Sequence, residues 1–453
     1  MNMLTLSRAV TNIIVSGAIV LTVSGCDSFL DKTPPLDISN NVALSTPSGI
    51  SAALTGAADQ FSSGAFYGGN TMSIGELWSN NVESNVGADF GRLQILSYNL
   101  NVFNPEGRSM WGDAYGVINR ANNVLAALET VPFENASQKQ LYKGRALALR
   151  GASLWALCTY FAQPWGFTDD NSHPGVVIRT LPTLGDEGTK KARSTVKECY
   201  DQIIADLTEA ATLLPAKDGA YMGAMGAKGM LARVYFHMGD YAKAEAMCTE
   251  IINSGLFSLN ADVSDVVNKN STPEVVFEIV NSAVDNPASI IWDFRQADNS
   301  LPRYWAGTDF VNQIYTDTTD KRLKLYVYRN NKLYVAKWDR IAMNIPVIRL
   351  AEVFLTRAEC RAQQGNATGA VEDANKTRER AGLKPLAATL SGNSLLNAVR
   401  RERNIELAFE GDIFLERKRQ RRNLKLRSWN DAALIFKIPD IEVNANTLCT
   451  QNP

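Results

Sequence analysis

Two stretches of this chain, more than a hundred residues apart, place small side chains at identical intervals, and this limits the fold more than any other feature. In the first, Leu231, Ala232, Tyr235, Gly239-Asp240-Tyr241, Ala244, Cys248 and Ile251 alternate large and small positions at helical spacing. In the second, Ala358, Ala370 and Ala374 repeat the offsets of Ala232, Ala244 and Cys248, and Gly365 stands where Gly239 stands. Such a pattern lets two antiparallel helices interlock across a short turn. Alanines at helical spacing also occur wherever helices approach closely, but two copies with equal offsets argue for a repeat.

The intervals are those of a tetratricopeptide repeat, and the stretch ending at Pro215, with Ala210 five residues earlier, fits the second helix of another copy. Other helices surround these. Trp111, Tyr115, Ile118, Asn122, Leu125 and Leu128 share one face; a helix is expected over Ser137–Phe161, ended by Pro164, and another over Ser194–Leu214 with Ser194 as its cap. Between the copies the period changes to two. Glu274–Val280 reads as a strand, and Leu323–Trp338 as a hairpin turning at Asn330-Asn331. Residues 46–104, rich in Gly, Ser and Asn, read as long loops and short helices. The expected fold is mainly α, a tetratricopeptide-repeat-like helical scaffold with long loop insertions and a small β-hairpin element.

The first 26 residues form an export signal: Arg8, an apolar run from Val10 to Val23, then Ser24, Gly25 and Cys26. The run is shorter than the roughly 20 apolar residues needed to span a bilayer. Val23-Ser24-Gly25-Cys26 resembles the lipobox of bacterial lipoproteins, which implies cleavage before Cys26 and acylation of its thiol. Residues 27–36, with Pro34-Pro35, then form an extended tether. The remaining cysteines, Cys158, Cys199, Cys248, Cys360 and Cys449, lack any Cys-x-x-Cys spacing, and four fall in helical patterns, so free core thiols are expected. With 46 basic and 47 acidic residues there is no field to gather nucleic acid.

Several separate segments resemble the SusD/RagB family of nutrient-binding lipoproteins. Cys26-Asp27-Ser28-Phe29-Leu30-Asp31 with Pro34 resembles the lipid-attachment opening, and Trp111, Tyr115, Ile118, Asn119, Arg120, Ala121 and Asn122 the first long helix. The helix with Arg145, Ala146, Arg150 and Phe161 matches more loosely, because Gly144 and Gly151 stand where helix formers are usual. Ile348–Val353, Arg357-Ala358-Glu359, Asn375, Arg378, Arg380-Ala381-Gly382-Leu383, Glu402-Arg403, Glu406-Leu407, Phe409-Glu410-Gly411 and Arg417 follow the family order, as do Ile438-Pro439 and Gln451-Asn452-Pro453. The resemblance divides the chain into a signal peptide (1–25), a lipid-anchored tether (26–45), an N-terminal region with helical repeats (46–270) and a C-terminal family region (271–453). It implies an outer-membrane protein facing the cell exterior, partnered with a SusC-like TonB-dependent transporter and binding an oligosaccharide or, in some relatives, a peptide. A structural lid subunit is the third possibility.

No catalytic constellation accompanies this. His173 and His237 lack metal-ligand spacing, no Gly-x-Ser-x-Gly elbow or phosphate loop occurs, and Asp89-Phe90-Gly91 lacks the partners of a kinase motif. Paired carboxylates of a glycosidase have no recognisable context. The expectation is a non-enzyme with no catalytic residue, metal or cofactor. The charges Arg401, Glu402, Arg403, Glu406, Glu410 and Arg417 are spaced to pair along and between helices, a structural role. Sugar rings are gripped by aromatic faces beside Asn, Asp or Arg. Two clusters meet that description: Tyr67, Trp78, Asn80, Asn81 and Arg92, and Trp292, Arg295, Tyr304 and Trp305. Filling the joints between loops and helices is the competing role for each aromatic.

Overall fold

The computed structural model describes residues 40–84, 90–183, 190–282, 284, 293–294 and 302–453. The chain divides into two units, Met1–Ser45 and Thr46–Pro453. In the first, only the single helical turn Asn40–Ala43 and the residues after it are described, so the export signal, Cys26 and residues 27–36 lie outside the described residues.

Among the described residues, the α-helices of the second unit longer than a single turn are α1 (Pro47–Phe61), α2 (Asn70–Trp78), α3 (Phe90–Leu96), α4 (Pro105–Thr130), α5 (Ala136–Phe161), α6 (Val196–Leu213), α7 (Ala224–Met238), α8 (Tyr241–Asn253), α9 (Thr308–Ile314), α10 (Leu350–Gln363), α11 (Ala367–Arg380), α12 (Gly392–Glu406), α13 (Asp412–Arg419) and α14 (Asp440–Ala445). Helix α5 lies between α4 and α6, α6 touches α7, and the series continues through α8 and α10 to α11 and α12. The scaffold is helical and repeat-like, as the spacing of small residues predicts.

Both repeat copies are helical hairpins built with the same local device. Gly239 and Gly365 take φ of 79° and 84°, the left-handed conformation that ends a helix without steric penalty. Asp240 and Asn366 then cap α8 and α11 by accepting the amides of Lys243 (3.2 Å) and Gly369 (3.0 Å). The small residues lie inside: Ala244, Cys248, Ala358, Ala370 and Ala374 are fully buried. Arg357 clamps α10 to α11 through a two-pronged bond to Asp373 (2.8 Å each), and Arg361 joins the second hairpin to Glu245 of the first at 2.9 Å. All five described cysteines are free and buried.

Gly144 and Gly151 also find their reason here. A Cβ added at either would come within 2.9 Å of Leu214 or 3.0 Å of Leu207, so these glycines let α5 approach the segment of α6 closely. Two boundaries differ from expectation. The cap of α6 is Thr195 instead of Ser194, because Thr195 forms a reciprocal box with Glu198. Residues 47–61, expected as loops and short helices, form the 15-residue α1, since Thr46 caps it, Pro47 occupies its first turn, and Ile50, Leu54, Ala57 and Phe61 make a buried stripe.

Three antiparallel strand pairs complete the unit. Val82–Ser84 (β1) pairs with Tyr304–Ala306 (β3), Val275–Ile279 (β2) with Ile345–Arg349 (β6), and Tyr326–Arg329 (β4) with Lys332–Val335 (β5). Asn330 and Asn331, both at positive φ, make the tight turn of the expected hairpin. Among the described residues, no helix is long and apolar enough to cross a membrane.

The charged motif on α12 and the loop after it divides in two. Glu402 binds Arg322 (2.6 Å) and Arg378 (3.1 Å); Glu406 binds Arg349 (2.6 Å), Arg322 (3.2 Å) and Arg380; Glu410 binds Lys337 and Arg349 (2.7 Å each); Arg403 binds Asp412 (2.6 Å). Burial pushes the Glu406 carboxyl up, but Arg380, Arg349 and Arg322 outweigh it and hold the group well below the usual carboxylate range. These residues lock helix to strand. Arg401 and Arg417 do not join them.

Candidate functional site

The strand pair β1–β3 brings Asn80 and Asn81 of the first cluster close to Tyr304 and Trp305 of the second, more than two hundred residues away in sequence. Glu83 faces Trp305 in register, and the Trp305 indole N–H donates to Glu83 Oε2 at 3.2 Å. The other oxygen of Glu83 accepts from the Thr308 amide (3.0 Å) and hydroxyl (3.2 Å), so one carboxylate fixes both the indole and the first turn of α9. Lys332 Nζ lies 3.3 Å from the centre of the Trp305 ring, a cation–π contact contributed by β5.

Asparagines extend this seam. Asn80 donates to Asp309 (2.9 Å) and accepts from the Lys425 amide (2.5 Å). The Asn81 carbonyl accepts from the Gly307 amide at 2.7 Å, while its side chain donates to Asn404 of α12 (3.2 Å), and Asn404 donates to Gln313 of α9 (2.9 Å). Gln313 and Asn404 in turn line a surface groove of about 320 Å³ between α9, α12 and α13, whose walls also include Asn397, Arg401, Arg417 and Arg422. Amides and guanidiniums facing an open cavity are suited to hold hydroxyls and anionic groups.

The structure distributes the sequence candidates unevenly. Asn80, Asn81, Tyr304 and Trp305 meet at the seam. Arg92 is buried and pairs with Asp293 at 2.8 Å, and also reaches Ser73 and Asn70. Trp292 and Arg295 lie outside the described residues. Trp78 is fully buried, surrounded by the rings of Tyr160, Phe414 and Phe436, and offers no face to solvent. Tyr67 is likewise internal, stacked on Phe61 with its hydroxyl donating to the Ala152 carbonyl at 3.0 Å. These two rings fill joints between helices, the competing role for aromatics of this kind.

Gln313, Asn397, Asn404 and Arg422 are not legible as candidates in a sequence searched for aromatics with polar neighbours. Arg401 and Arg417 fall, by spacing, among the interior charges. A signal against that grouping exists: neither has a carboxylate three or four residues away, whereas a helical ion pair needs one. Elsewhere, His237 is held neutral, its pKa lowered to about 3 by burial. His173 is tied to Thr168 and the Gln163 carbonyl.

Comparison with known proteins identifies the family of the fold. The sequence profile described as the SusD family matches residues 286–433, and the profile described as starch-binding associating with outer membrane matches residues 28–236. A SusD-like protein of Formosa agariphila is 22% identical over 464 residues, covering 86% of this chain and 87% of the relative. A SusD superfamily protein of Bacteroides thetaiotaomicron superposes with a TM-score of 0.80 at 25% identity, over 90% of this chain and 100% of that one. A laminarin-binding SusD-like protein shares the fold with a TM-score of 0.73 at 22% identity, over 90% of this chain and 99% of the other. The chain belongs to the SusD/RagB family, whose members are binding proteins associated with the outer membrane.

Proposed function

We propose that this protein captures an oligosaccharide at the cell exterior, anchored by acyl chains on Cys26, and hands it chemically unchanged to a SusC-like TonB-dependent transporter. The observation that carries the reading is the link from the seam to the groove: Asn81, beside strand β1, holds Asn404, and Asn404 and Gln313 present their amides to an open groove. Amides with both donor and acceptor ends match sugar hydroxyls, and a few such groups orient a ligand. The starch-binding description of the matched profile and the laminarin ligand of one fold neighbour point to the same class. Asn80, the partly exposed member of the seam, is assigned to ligand contact together with Asn404 and Gln313 of the groove, while Asn81, Tyr304 and Trp305 are buried and hold that surface from behind, and Arg92 braces Asp293. Tyr67 and Trp78 support the platform from within.

Glycan-array binding of the purified protein tests this. Binding to at least one glycan that falls at least tenfold in Asn404→Ala and in Asn80→Ala, each with a Tm within a few degrees of the parent, is the expected result. Co-purifying peptides with no glycan bound would overturn it. The ligand recovered after incubation should have an unchanged mass; a shortened one would reveal hydrolysis. Cys26→Ala should move the protein from the membrane to the soluble fraction.

A further inference from the structure

The groove between α9, α12 and α13 is lined by five arginines and only two carboxylates, Asp412 and Glu416. Both carboxylates are engaged elsewhere. Asp412 takes a two-pronged bond from Arg403 (2.9 and 2.6 Å), and Glu416 takes one from Arg419 (3.1 and 2.6 Å) together with a bond from Gln420. Arg403 is thereby neutralised, and Arg400 is neutralised by Glu359 at 2.8 Å.

Three guanidiniums are left over. Arg401 bonds only the Gln313 carbonyl (3.0 Å), Arg422 makes a long contact of 3.5 Å with Asn397 Oδ1, and the Arg417 guanidinium has no hydrogen-bond or ion-pair partner among the described residues. Arg417 is half-buried, and its pKa is lowered by burial and then by the like charge of Arg422, with Asp309 opposing. Asp309 itself is held by Asn80. Arg401 and Arg422 are exposed and screened by water, so the like-charge repulsion falls chiefly on half-buried Arg417, and an anion in the groove relieves it there. A planar guanidinium also matches the paired oxygens of a carboxylate or sulfate.

We infer that the glycan held at this site is anionic, a uronic-acid or sulfated saccharide whose charged substituent enters the groove and is bound by Arg401, Arg417 and Arg422. The inference rests on the glycan-binding reading and specifies its substrate class. The neighbouring amides of Asn397, Asn404 and Gln313 then hold hydroxyls of the same or the adjoining sugar. An anionic glycan is favoured over a neutral one, since it adds charge-assisted bonds to these guanidiniums that a neutral ring cannot make.

The test is calorimetric titration of the full chain with three probes: oligogalacturonate for the carboxylate, chondroitin sulfate oligosaccharide for the sulfate ester, and laminarin oligosaccharide as the neutral control. The expected result is binding of at least one anionic probe at least tenfold more tightly than the neutral one. That affinity should fall at least tenfold between 50 and 500 mM NaCl and again in the double variant Arg401→Ala/Arg417→Ala, whose Tm stays within a few degrees of the parent. Arg417→Lys, which keeps the charge but loses the fork, should fall between the two. Tighter binding of the neutral probe, indifferent to salt and to the double variant, would overturn the anionic assignment and leave glycan binding intact. Binding of peptide with none of the three saccharides bound would overturn both.

Discussion

Helix α12 separates two populations of arginine that differ in what neutralises them. On its inner side, Arg322, Arg349 and Arg380 converge on Glu406 and its neighbours Glu402, Glu274 and Glu410, and all of these but Arg380 and Glu410 are buried. On its groove side, Arg401, Arg417 and Arg422 face a cavity without a carboxylate of their own. The same residue type fixes the packing of helices in one place and leaves an unfilled electrostatic demand in the other. Composition does not distinguish them; the position of the acids does.

The sharpest way to break this contrast is Glu406→Ala. It strips the shared counter-charge from three arginines, and removing one partner of a buried ionic cluster costs about 3–5 kcal/mol. Chemical denaturation should show the loss as a lower midpoint with an unchanged slope. A smaller loss, near that of an exposed pair, would mean that the remaining acids take over.

Glu76 sharpens the comparison from within the core. It is fully buried, and burial pushes its pKa up to about 8, against which the Gly411 amide and Lys337 act only in part. Glu406 is thus held ionised by its arginines and Glu76 is held protonated by their absence. Because the folded pKa lies above the unfolded one, the wild type is at its most stable, for this group, below pH 4.5 and loses stability as pH rises to about 8. Glu76→Gln should flatten that decline, gaining about 5 kcal/mol relative to wild type at pH 9 and little at pH 4, a difference read from denaturation midpoints across the window.

Asn366→Ala calibrates both by removing an ordinary helix cap from α11, with an expected loss of about 1 kcal/mol. The smallest effect belongs to the groove. Arg401→Ala/Arg417→Ala should change stability by no more than about 0.5 kcal/mol, since neither side chain has a charge partner to lose. If the double variant destabilised as much as Glu406→Ala, the two populations would be one.

The helical hairpins were legible because periodicity, glycine position and small-residue offsets all express local packing; Gly239, Gly365, Ala358 and Cys248 needed no distant partner to be interpreted. The hairpin at Asn330-Asn331 was legible for the same reason. The site was not. Trp78 lies on α2, and whether its indole faces solvent or core depends on Phe414 and Phe436, more than three hundred residues away in sequence. Arg401 and Arg403 stand two residues apart with opposite fates, and that separation of faces becomes visible only once α10, α12 and α13 are packed. The junction of the two predicted clusters likewise rests on a strand pairing that no local pattern announces.

That pairing is entropically costly to form. Val82 finds Ala306 only after more than two hundred intervening residues are available, and contacts of such sequence separation carry a large chain-closure entropy. The helical hairpins, each closed by a turn of a few residues, can be in place long before. Bringing Trp305 against Glu83 therefore costs more chain entropy than closing either helical hairpin, so this strand pair depends on the packed scaffold to hold it together.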